Sequence, residues 1–146
     1  MNTVDLPVKY DEQAHHLMLG TPFAAGIDIA AMGDYEIHPG VISTIHTGIR
    51  VEIPDGYFGM LCPRSSTFAK VGIELANTIG IIDSDYRGEL MLKVRQVTNH
   101  DTHMIKVSNG TRLAQLILIP YATPNILPVN ELSDTHRGEG GFGSTS

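Results

Sequence analysis

The chain contains no tryptophan and a single cysteine, Cys62, and only 18% of its residues are charged. One cysteine rules out an internal disulfide framework and is compatible with a reducing compartment. No apolar run approaches the roughly 20 residues needed to cross a bilayer as a helix, and no charged-then-apolar leader opens the sequence. A cytoplasmic protein is expected, or one in the host cytoplasm if the source is viral, with no membrane partner. Positive charge is also scarce: the formal net charge is −6. Binding to a nucleic acid through bulk electrostatics normally uses a basic surface, so no nucleic-acid partner is expected. A small anion held by a few local cations is still allowed.

Glycine is plentiful, with 15 in 146 residues, and no repeat, linker or low-complexity block divides the chain. One domain over residues 1–146 is the simplest organisation. Ile45, Thr47, Ile49, Val51 and Ile53 alternate with His46, Gly48, Arg50 and Glu52, the period of a strand with one buried face. Pro54-Asp55-Gly56 then turns the chain. Tyr57 to Cys62, Leu90 to Val97, Met104 to Val107 and Leu113 to Tyr121 are further short apolar runs bounded by turn residues. Only Ser65 to Lys70 suggests a helix, with a Ser-Ser start to cap it and Gly72 to stop it. The pattern predicts an all-β sandwich or barrel with very little helix.

Five segments set polar groups beside these strands: Ala25-Gly-Ile-Asp28-Ile, Pro63-Arg-Ser-Ser66, Gly80-Ile-Ile-Asp83-Ser-Asp85-Tyr86-Arg-Gly-Glu89, Gly110-Thr-Arg-Leu-Ala-Gln115, and the tail RGEGGFGSTS from Arg137 to Ser146. Arg64 with Ser65 and Ser66 offers a forked cation, two hydroxyls and free backbone amides, which suit a phosphate. The plainer account is a surface arginine beside a capped helix. Gln115 interrupts an apolar run, either as a buried amide that needs partners or as an outward strand residue. Asp83-Ser84-Asp85 is turn chemistry at its simplest. It also provides a carboxylate able to deprotonate a water for attack on phosphorus, with a hard cation such as Mg²⁺ on the phosphate oxygens. Tyr86 nearby is a half-buried strand aromatic or a stacking face for a sugar.

The tail is on composition a frayed end. Its glycine amides, arginine and phenylalanine also suit a phosphate clamp. Gly138 and Gly143 have the spacing of a P-loop, but the lysine is missing and no strand-to-helix unit follows. The pairs His15-His16 and His100-x-x-His103 fit no metal-ligand pattern and are expected in solvated loops.

Taken together and in this order, the five segments resemble the five motifs of the trimeric dUTP diphosphatase (dUTPase) family. The resemblance runs from Ala25 to Ser146. It implies a jelly-roll-like β-barrel, a homotrimer, and Mg²⁺-dependent hydrolysis of dUTP to dUMP and pyrophosphate, which limits uracil incorporation into DNA and supplies dUMP for dTMP synthesis. Asp83 then matches the carboxylate that activates water. Tyr86 matches the ring that excludes a ribose 2′-hydroxyl, and the hairpin with Asn77, Gly80, Ile81, Ile82 and Met91 matches the uracil pocket. Arg64, Ser65, Ser66 and Gln115 match phosphate contacts, and Asp28 matches an acid near the metal that acts through water. Residues 137–146 become a mobile arm closing over the active site, with Arg137, Gly143, Ser144 and Thr145 on the phosphates and Phe142 stacked on uracil. The chain departs from the family in ending on Ser146 and in placing Ser108-Asn109-Gly110-Thr111 before Arg112. Two alternatives remain open at this point: a dCTP deaminase of the same superfamily, and a nucleotide-sensing regulatory trimer of the same fold.

Overall fold

A computed structural model of the chain describes residues 3–97 and 103–141. Among these residues twelve strands run in order: β1 Val8–Tyr10, β2 Met18–Leu19, β3 Ile27–Ala30, β4 Tyr35–Ile37, β5 Ser43–Ile45, β6 Ile49–Val51, β7 Tyr57–Pro63, β8 Ile73–Leu75, β9 Gly80–Ile82, β10 Leu92–Gln96, β11 Ile105–Val107 and β12 Arg112–Pro120. Every pairing is antiparallel, in sheets ordered β1-β6, β5-β10-β8, β4-β11 and β2-β3-β12-β7-β9. Each sheet sends apolar side chains to one shared core: Ile49, Ile45 with Val94, Ile37 with Val107, and Ile29 with Leu116. Four small sheets around one core make the jelly-roll-like β-barrel that the strand pattern and the resemblance pointed to.

The expected helix is short and wound as a π-turn over Thr67–Val71, with helical backbone already at Ser65 and Ser66. Gly72 ends it at φ 79° and donates its N–H to the Thr67 carbonyl, as a left-handed stop should. The serines make no side-chain cap. Instead Thr67 is fully buried and donates its hydroxyl to the Leu113 carbonyl at 2.5 Å, tying the helix to β12.

One expected strand is two. Ile45, Thr47, Ile49, Val51 and Ile53 are all buried, as the alternation requires, yet the ladder breaks between β5 and β6. Ile45 pairs with Leu92 of β10, whereas Ile49 to Val51 pair with β1. The break is Gly48, at φ 67°, where a Cβ would lie 2.7 Å from the Met32 sulfur and 2.9 Å from the Ala14 Cβ. The five alternating residues keep the burial of a period of two across this point, but Gly48 between them is buried as well and hydrogen bonding does not follow the period.

Gly48→Ala therefore combines a left-handed alanine with an overpacked core and should lower stability by about 3 kcal/mol. Urea denaturation should show a lower midpoint with an unchanged slope; an unchanged midpoint would mean that the turn relaxes freely.

Candidate functional site

The third segment forms a walled cavity. β9 leads into Asp83, and the chain turns where the Tyr86 N–H bonds the Asp83 carbonyl at 3.1 Å. Ile81, Ile82, Asp83, Tyr86, Glu89, Leu90, Met91 and Lys93 line a cavity of about 220 Å³. Asp83 is exposed at its rim, as is the Tyr86 ring. The ring is held by its hydroxyl, which donates to the Glu89 carbonyl at 3.1 Å. A Cβ on Gly88 would collide with that hydroxyl, so only glycine lets the ring lie over this backbone. Asn77 sits in the turn before β9, beside Thr78 at φ 64°, and Gly80 begins the strand.

Glu89 closes the hairpin. Its Oε1 accepts the N–H groups of Thr47 at 3.0 Å and Gly48 at 2.9 Å, while Oε2 lies 3.0 Å from His46 Nδ1. Burial pulls its pKa upward, but these hydrogen bonds and the charge of His46 outweigh it and hold the carboxyl below its usual range. Neither Glu89 nor the cavity-lining Lys93 drew attention as a functional residue in the sequence. The available signal was the place of Glu89 at the end of the third polar segment, directly before an apolar run.

A second cluster gathers at the other end of the five-stranded sheet. Asp28 on β3 has a side chain only 9% exposed, with Oδ1 2.9 Å from Arg64 Nε and Oδ2 3.7 Å from an Arg112 guanidinium nitrogen. One oxygen thus aims Arg64, just past the end of β7, and the other faces Arg112. Gln115 pairs with Asp28 on one side and Cys62 on the other. Its amide donates to the Pro63 carbonyl at 3.2 Å, and its oxygen packs where a Cβ on Gly26 would have to be. This glutamine is therefore half-buried and partnered. Burial raises the Cys62 thiol, against a hydrogen bond with Gln115 that lowers it. Ser65 and Ser66 follow Arg64 on the helical turn, so a forked cation, two hydroxyls, an amide and an aimed carboxylate share one patch.

One chain does not join the two clusters. Ile82 pairs with Gly59, and Ala114 with Pro63, just before Arg64. Five residue steps along β7 at ~3.3 Å each separate the Asp83 end from the Arg64 end by roughly 17 Å. Arg137 lies on an exposed turn, its Nε donating to the Gly140 carbonyl at 2.8 Å. Phe142, Gly143, Ser144 and Thr145 lie outside the described residues, as does His100. His15 bonds Asn109 at 2.9 Å, and His16 stacks on Tyr10. Among the described residues no three His, Cys, Asp or Glu side chains are grouped to hold a metal, and no helix is long and apolar enough to cross a membrane.

The dUTPase family model matches residues 12–146. The chain is 44% identical over 135 residues to the deoxyuridine 5'-triphosphate nucleotidohydrolase of Escherichia phage T5, covering 87% of this chain and 88% of that one. It is 43% identical over 137 residues to the enzyme of that name from Nautilia profundicola, covering 94% of each chain. Among solved structures it resembles the dUTPase of Staphylococcus bacteriophage 80alpha with dUPNHPP, at a TM-score of 0.86, 28% identity and 99% coverage of both chains.

Because the folded pKa of Glu89 lies below the unfolded one, its charge contributes stability above the ordinary Glu value, about 4.3, that is lost as pH falls through the folded value. Glu89→Gln should thus be less stable than the wild type at pH 7, with the gap closing below about pH 4. Melting temperatures across this range test it; a gap independent of pH would contradict a role for the charge.

Proposed function

The chain belongs to the dUTPase family and hydrolyses dUTP to dUMP and pyrophosphate, and within that reaction we propose that Asp83 is the base, working in a site shared between subunits of a homotrimer. What carries the assignment is the cavity of the 80–93 hairpin, with one free carboxylate and one aromatic face at its rim. Asp83 takes a proton from water as the water oxygen bonds the α-phosphorus and the bond to the bridging oxygen of the departing pyrophosphate breaks. Tyr86 packs against the deoxyribose and leaves no room for a 2′-hydroxyl. Backbone N–H and C=O groups of the hairpin, from Asn77 and Gly80 to Ile82 and Met91, complement the edge of uracil, while cytosine reverses the pattern at position 4. The dCTP deaminase and the non-catalytic sensor are not favoured beside relatives at 43–44% identity that are named nucleotidohydrolases.

Arg64, Ser65, Ser66 and Gln115 hold the phosphates in this proposal. Their distance from Asp83 within one chain is the first support for a shared site. A second is the outer face of the sheet, where register puts Met60 opposite Ile117 and Ile81, and Phe58 opposite Ile119. These apolar side chains are half-buried or exposed in the single chain and suit burial against other copies. The family's reaction is metal-assisted, and we assign Mg²⁺. Asp28 already faces two arginines and no cage of acids surrounds it, so the residues fit an ion held by phosphate oxygens and water, with Asp28 reaching it through water. Such an ion would offset charge on the phosphates. Residues 137–146 form the closing arm, with Arg137, Gly143, Ser144 and Thr145 on the phosphates and Phe142 over the base. We assign the protein to the cytoplasm, or the host cytoplasm for a viral source, a reading with which a free Cys62 is compatible.

Pyrophosphate release from dUTP, UTP, dCTP and dTTP side by side tests the assignment, and equal turnover of all four would overturn it. Asp83→Asn keeps the shape but not the base, so dUTP binding should survive while turnover falls roughly 10²-fold or more. Removing residues 137–146 should leave the ligand-free melting temperature nearly unchanged and weaken dUMP binding little, yet cripple dUTP turnover. Unchanged turnover would return the segment to the status of a frayed end.

A further inference from the structure

Tyr86 can select between sugars only if its ring stands at a fixed height above the cavity, and the turn that carries it is largely exposed. Asp83, Asp85, Tyr86 and Arg87 are all exposed. The hydrogen bonds within the turn are local, Tyr86 N–H to the Asp83 carbonyl and the Arg87 guanidinium to the Ser84 carbonyl at 2.6 Å, and its ion pair to the barrel, Arg87 with Glu52 at 3.7 Å, joins two exposed side chains and fixes little. Local bonds shape a loop without fixing where it stands on the barrel. The tie to the barrel comes at Glu89, which reaches across about forty residues of sequence to the turn between β5 and β6, while the next residue, Leu90, donates its N–H to the Ile49 carbonyl at 2.8 Å.

We propose that Glu89 is the positioning residue for sugar selection. The inference rests on the role given to Tyr86 above. The tyrosine hydroxyl bonds the Glu89 carbonyl, so the ring is referenced to the main chain at residue 89. The Glu89 carboxylate references that main chain to the N–H groups of Thr47 and Gly48. Both of those groups are rigidly placed. Thr47 is fully buried with its hydroxyl on the Leu90 carbonyl at 2.6 Å, and Gly48 sits in a left-handed conformation that donates its N–H inward. Ring height is thus set by a relay of three hydrogen bonds from the core to the cavity rim. Because one oxygen, Oε1, accepts both N–H groups, an amide in place of the carboxylate can keep the relay, whereas a shorter acid cannot reach.

The test compares the wild type with Glu89→Gln, Glu89→Asp and Glu89→Ala, measuring the affinity for dUMP over UMP by calorimetry and kcat/KM for dUTP over UTP. Glu89→Ala and Glu89→Asp should lower both ratios about tenfold, largely by admitting the ribonucleotide, and Glu89→Gln should restore most of the preference. If alanine prevents folding, the aspartate and glutamine variants decide between themselves. Equal loss for both sugars, or no change in the ratio, would overturn the proposal, since a purely structural residue weakens both substrates alike. A wild type with no preference for deoxyribose would instead overturn the role of Tyr86 on which it rests.

Discussion

A half-buried carboxylate must satisfy its oxygens, and in this barrel the need of Glu89 for donors and the need of an interrupted strand for an acceptor are met by each other. Thr47 and Gly48 have left the β5 ladder and not yet joined β6, so their N–H groups have no strand partner. Buried N–H groups left unpaired cost about 1–3 kcal/mol each. Glu89 accepts both, and the same contact brings the hairpin onto the barrel. The left-handed Gly48 makes that geometry accessible. Strand break, glycine and hairpin anchor are therefore one arrangement in which each part requires the others.

The sheet that carries the chemistry works differently. β12 runs through its centre with β3 on one side and β7 on the other, so residues far apart in sequence share a rung: Asp28, Gln115 and Cys62. A long central strand is a ruler, and it sets Arg64 and its neighbours at one end of the sheet and Asp83, the proposed base, at the other. In a trimer the same rigidity becomes useful, because an end that is too far away in one chain is available from a neighbour.

Much of this was legible in the residues. The class of fold followed from short alternating runs, and the apolar alternation from Ile45 to Ile53 gave burial correctly at each apolar position and at Thr47, though it set the buried Gly48 on the outer face. It could not reveal that hydrogen bonding stops at Gly48, because period reports which face a side chain occupies and says nothing of its strand partner. Ser66 was expected to cap a helix; the bond went to buried Thr67 instead, since β12 offered a carbonyl that local sequence cannot foresee. Among site residues, the 80–91 hairpin was visible because its cavity is built from contiguous chain. Glu89 and Arg112 act through partners some forty to eighty residues away, so their roles emerge only once the strands are paired.

Beyond β12 the chain runs from residue 121 to 139 without burying a residue, and Ile126 and Leu132 are 82% and 87% exposed. Side chains already hydrated in the folded chain release no new apolar surface when it melts. The heat capacity of unfolding for the single chain should therefore be smaller than its length suggests, and in the proposed trimer the difference would belong to any surface that covers those side chains. The curvature of the stability curve, rather than its height, would then record how much of the molecule the proposed trimer completes.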